Sequence, residues 1–90
     1  MGKTVDTDSL LTASNALNTY MEEVSQSIQK MKDAAQDCSD NLENDEITKE
    51  SIKKLNECIG KMNNSMVKAR DLKSQIDAKY NQIIQLSRKN

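Results

Sequence analysis

Two long runs of apolar residues at heptad spacing, joined by one short acidic link, dictate what this chain can fold into. Leu10, Leu17, Val24, Met31 and Cys38 recur every seven positions, and Met21, Ile28, Ala35 and Leu42 form a second row offset by four. Ser14 is the weak member at the start of that second row. Two rows at such spacing place apolar side chains along one edge of an α-helix, the seam by which a helix packs on another. The second half repeats the device. Ile52, Ile59, Met66 and Tyr80 form one row, interrupted by Lys73, and Leu55, Met62, Ala69, Ile76 and Ile83 form the other.

The link Asn41-Leu42-Glu43-Asn44-Asp45-Glu46 is rich in Asn and Asp, whose side chains bond to their own backbone and favour turns. A link this short makes the two helices antiparallel neighbours. The pattern predicts one all-α domain over residues 1–90: helix 1 over 7–42, a turn over 43–47 and helix 2 over 48–88. Start signals are expected at both helices. Asp6 is placed as one N-cap with Val5 packing on Leu10, and Thr48 as the other with Ile47 packing on Ile52. Arg88 and Lys89 suit the negative end of helix 2. Gly60 weakens that helix locally.

Composition supports long exposed helices. Aromatic residues make up 2% of the chain, both of them Tyr, so the large buried areas that rings supply to a compact core are missing. Charge is unevenly divided: residues 1–45 carry 3 basic and 9 acidic groups, and residues 46–90 carry 10 basic and 5 acidic. An acidic half and a basic half attract one another when the chain folds back, although exposed pairs contribute little individually.

A single facing helix cannot cover all the apolar surface. Leu11, Ala13, Ala16, Tyr20 and Ala34 lie beside the first seam, and Val67, Leu72, Ile84 and Leu86 beside the second. They widen each stripe. A hairpin of this size is therefore expected to complete a four-helix bundle with a second hairpin, like or unlike. The alternative is that these are scattered surface apolar groups, which are common. On the first reading Leu11, Tyr20, Val67, Leu72, Ile84 and Leu86 are the partner-binding set. Leu17, Val24, Ile28, Ile59, Met62 and Ile76 belong inside the hairpin.

The chemistry of catalysis is thinly represented. With no His, Ser–His and Cys–His arrangements are impossible. Asp37, Asp40, Glu43, Asp45 and Glu46 cluster at the bend, where no pocket is expected to raise a pKa, so they read as a solvated turn. Two Cys without His do not make a structural zinc site, and no calcium-loop spacing occurs. No enzyme, metal or cofactor is expected. Cys38 and Cys58 both fall within a few turns of the bend. Two readings stay open for them: a disulfide in an oxidising compartment, or two small buried thiols. The basic residues of helix 2 are interleaved with acids and lack an aromatic stacking platform, which disfavours nucleic acid. No apolar run reaches the ~18 residues of a membrane span. The N-terminus lacks the apolar stretch of a signal peptide, so a cytoplasmic location, or export by a route needing none, is expected.

The opening Val5-Asp6-Thr7-Asp8-Ser9-Leu10-Leu11 leads from a short apolar and acidic stretch into the first helix. With the length, hairpin layout and bend position, it resembles the WXG family of small type VII (ESX) secretion proteins. The resemblance implies a hairpin that forms homodimeric or heterodimeric four-helix bundles and resides in the bacterial cytoplasm before export. Leu42-Glu43-Asn44 stands where the family has W-x-G. Leu42 can still plug the bend there, and Asn44 tolerates the left-handed backbone that the glycine would adopt. Tyr80 is followed four residues later by Ile84, where the family's Y-x-x-x-D/E export signal carries an acid. A chain without its own complete signal is similar to members that bind the helical N-terminal region of LXG toxins and accompany them to the secretion machinery. Alternatives are a self-sufficient homodimeric secreted protein, a secretion-needle subunit (whose usual Pro-containing bend is absent) and a cytoplasmic coiled-coil adaptor.

Overall fold

A computed structural model describes residues 6–88, which form two helices: α1 (Thr7–Asn41) and α2 (Glu46–Arg88). Asp6 starts α1. Its carboxylate accepts the backbone N–H of Asp8 at 2.9 Å and of Ser9 at 3.3 Å, and the Ser9 hydroxyl at 2.7 Å. These bonds satisfy donors that have no partner within the helix. The Ser9 hydroxyl, then its N–H, hold the Asp6 carboxyl below the usual carboxylate range. Val5, expected to staple onto Leu10, lies outside the described residues, as does Lys89. Arg88 occupies the last turn of α2.

The helices lie antiparallel in one elongated hairpin, 69 × 19 × 16 Å, with a radius of gyration of 20.3 Å. A compact chain of this length would have about 12 Å. The shape leaves a core one seam thick. Val24, Ile28 and Ile59 form its buried cluster, with Met31, Met62 and Met66 packed around them. Ala35 and Ala69 are the other buried apolar residues among those described, and no described side chain is fully enclosed. Burial of a residue such as Ile28 contributes roughly 1.5–3 kcal/mol. The methionines, unbranched and adaptable, fill the seam around these anchors.

The bend departs from the expected one in two respects. Leu42 does not plug it: 56% of its surface is exposed. Its backbone is extended (φ −112°, ψ 155°) and its N–H caps the helix by donating to the Cys38 carbonyl at 3.1 Å. That conformation swings the residue out of the helical row to which spacing assigned it. Asn44 is not left-handed, since no described residue has positive φ.

The second departure is the start of α2. Asp45, not Thr48, is the cap. Its carboxylate accepts the Thr48 N–H at 2.8 Å and its carbonyl accepts the Lys49 N–H at 3.0 Å. A carboxylate facing the positive end of a helix is a better cap than a hydroxyl. The helix therefore begins at Glu46, ahead of the expected residue 48. Ile47 falls inside the first turn and is 79% exposed, so the expected staple on Ile52 does not form. Thr48 is half-buried, one turn before Ile52.

Candidate partner interface

The seam assigned from the heptads occupies the contact between the helices, apart from Leu42. Val24, Ile28 and Ile59 are buried; Leu10, Leu17, Met21, Met31, Ile52, Leu55, Met62, Met66, Ile76 and Ile83 are half-buried. The two interruptions of the pattern meet one another. Ser14 is buried, and its hydroxyl donates to Asp77 Oδ1 at 2.7 Å. Lys73 Nζ donates to Asp77 Oδ2, also at 2.7 Å. The Lys73 bond, followed by the Ser14 bond, holds the Asp77 carboxyl below its ordinary range. Asp77 escaped the heptad reading because it lies beside the seam rows. The available signal was that Ser14, near the start of one row, and Lys73, near the end of the other, fall at one height in an antiparallel pair, with Asp77 one turn from Lys73.

A second cross-helix bond fixes the two flanks of the hairpin. The Tyr20 and Ser65 hydroxyls are hydrogen-bonded. The tip of Tyr20 therefore ties the helices together while 41% of the residue remains exposed. On this flank, heptad steps carry α1 through Ala13, Tyr20, Ser27 and Ala34, and α2 through Cys58, Ser65 and Leu72. Small and apolar side chains dominate it. The opposite flank is polar: shallow grooves there are lined by Asn18, Ser25, Met66 and Arg70, and by Lys32, Ser39, Ile52 and Asn56.

The residues expected to bind a partner are divided between these flanks. Tyr20 and Leu72, 47% exposed, share the apolar one. Leu86, 57% exposed, follows Leu72 two heptads on, beyond the exposed Lys79 and past the level at which α1 starts. Leu11 and Val67, 41% and 49% exposed, lie toward the polar flank. Ile84 is also on that side and is half-buried rather than free. Tyr80, one turn before Ile84, is half-buried in its seam row.

Cys38 is half-buried, Cys58 is exposed, and both are free thiols. The disulfide left open by the sequence does not form. The Ser14–Asp77 and Tyr20–Ser65 pairs set the register, which puts the two cysteines about two turns out of step, ~12 Å along the axis at ~1.5 Å per residue. A disulfide needs Cα atoms within about 7 Å.

The acidic–basic division of the chain is not realised as bridges between the helices. Among the described residues the ion pairs are Lys49–Glu46 and Lys73–Asp77, both within α2. Glu43 and Asn44 are exposed at the bend. Among the described residues there is no group of three His, Cys, Asp or Glu side chains arranged to hold a metal, and no helix long and apolar enough to cross a membrane. No family model, curated protein or solved structure matches the chain.

Proposed function

We propose that the chain is a helical binding partner of a type VII secretion substrate, a targeting factor or co-secreted chaperone for the helical N-terminal region of an LXG-type toxin. One observation carries the binding role. The chain exposes 7133 Å², against roughly 5,300 Å² for a compact protein of its mass. The surplus exceeds the ~800 Å² that each partner contributes to a standard interface. Part of it is apolar, at Tyr20, Leu72 and Leu86. A hairpin with a seam on one side and uncovered apolar residues on a flank is half of a four-helix bundle. The assignment to type VII secretion rests on the resemblance in length, bend position and opening stretch.

The test is light scattering of the purified chain over a concentration series, alone and co-expressed with the product of the adjacent gene. The expected result is a helical monomer of marginal stability alone and a more stable helical complex with the partner. Tyr20→Glu and Leu72→Glu should each weaken the complex. A stable, fully helical dimer that takes up no partner would instead make this a self-sufficient homodimer, and an ordered monomer that takes up none would end the partner reading.

A further inference from the structure

Three lysines of α2 follow the apolar flank at heptad intervals. Lys54, Lys61 and Lys68 are exposed, and none lies within salt-bridge distance of a carboxylate among the described residues. Residues three or four apart are neighbours on a helix surface. By that spacing Lys54 and Lys61 border Cys58, Lys61 and Lys68 border Ser65, and Lys68 borders Leu72. The row spans ~21 Å at ~1.5 Å per residue, two heptads of any helix lying alongside.

Resting on the partner-binding reading above, the geometry points to an acidic amphipathic helix of another protein as the occupant of the Tyr20–Leu72 flank, its carboxylates at heptad spacing opposite the lysine row. Apolar side chains of that helix would cover Leu72 and the small residues beside it. Glu50, Glu57 and Asp71 lie three or four residues from these lysines but farther from the flank and make no ion pair with them, so the acids of the docked helix would face the row directly. A second copy of this chain fits less well. With bends at the same end, the row Glu23, Lys30 and Asp37 of one copy faces the lysine row of the other, so two of its members attract the lysines and the central one repels them. Such a row matches the lysines only in part, whereas a continuous acidic row matches all three. With bends at opposite ends and each helix facing its own counterpart, the lysine row faces itself. A lipid surface is disfavoured because the chain has no Trp and no Phe to anchor an interfacial helix.

Two designed helical peptides test the assignment. They share a Leu/Ile seam and differ only in carrying Glu or Lys at the positions flanking it. Each is labelled and titrated with the purified chain at low and high salt, and phosphatidylglycerol vesicles are titrated in parallel. The Glu peptide is expected to bind about 10-fold or more tighter than the Lys peptide, with the difference shrinking as salt rises. The triple variant Lys54→Glu, Lys61→Glu, Lys68→Glu should reverse the preference. These are exposed positions, and unchanged helicity of the variant confirms that the hairpin persists. Leu72→Glu should weaken binding of both peptides. Equal affinity for the two peptides, a preference that survives the triple variant, or vesicle binding in place of peptide binding would each overturn the inference and leave the helical-partner reading standing. Failure of both peptides to bind a chain that light scattering shows to be a stable dimer would overturn that reading as well.

Discussion

The middle and the open end of the hairpin solve the same packing problem with opposite chemistry. In the middle, Val24, Ile28 and Ile59 exclude water and are surrounded by three methionines. At the open end, Ser14, Lys73 and Asp77 make a layer of directed bonds. Apolar contacts are strong in aggregate but tolerate sliding, because one Leu or Met occupies a neighbour's place with little loss. A hydrogen-bonded layer is satisfied in one register only, and a buried group left without its partner is costly. The middle therefore holds the helices together, and the open end sets how they align.

The comparison breaks most directly at the middle. Ile59→Ala should cost about 2–5 kcal/mol, the range for truncating a buried aliphatic side chain. In so thin a core, thermal or urea melting of the isolated chain followed by circular dichroism should show loss of most helicity. If Ile59→Ala melts like the parent, the seam is not the main source of stability.

A smaller loss is expected at the polar layer. Ser14→Ala removes one bond and should cost about 1 kcal/mol. The more informative readout is alignment. Spin-label distances between the helices should remain single-valued in the parent and broaden in Ser14→Ala, whereas a conservative trim in the middle, Ile28→Val, should leave them sharp. Broadening in both variants, or in neither, would remove the division of labour.

Gly60 offers a gain of comparable or smaller size. A Cβ added there would meet nothing within 4 Å, and its backbone is not left-handed. Gly60→Ala should stabilise by about 0.5–1 kcal/mol through helix propensity. A loss would show that this stretch of α2 needs the glycine for something the hairpin itself does not use.

The smallest effect is the response to acid. The carboxyls of Asp6, Asp45 and Asp77 are held below their usual range, by the Ser9 hydroxyl, the Thr48 N–H and the Lys73 ammonium first in each case. A group whose pKa is lower folded than unfolded stabilises fully above its unfolded value, about 4 for Asp. That contribution is lost as pH falls through the folded value. Stability should therefore be insensitive to these groups at neutral pH and decline below about pH 4. All three are solvent-accessible, so the decline is modest. Asp77→Asn should flatten part of it in acid melts and broaden the alignment distances at neutral pH.

Much of this molecule was legible before folding. The seam rows needed only spacing, because an α-helix has one period and a short link permits one arrangement of two helices. The bend was less legible. Leu42 obeyed the heptad but lies one residue past the last helical turn, where the backbone, not the period, directs the side chain. Thr48 looked like a cap, yet Asp45 three residues earlier offers a charged acceptor to the N–H of Thr48 itself, and the helix starts there. Such competition between neighbouring caps is decided by local geometry that spacing does not encode.

The sequence by itself determined two long amphipathic helices folded back on one another, since periodicity and a short polar link are local properties. Only the tertiary structure decided the register, and with it that Ser14 meets Asp77, that Cys38 and Cys58 pass each other by about two turns, and that the flank shared by Tyr20 and Leu72 is apolar while the other is polar. The physical reason is common to all three. A seam of interchangeable aliphatic side chains says that two helices touch, whereas alignment depends on directed bonds between residues 45 and 63 positions apart.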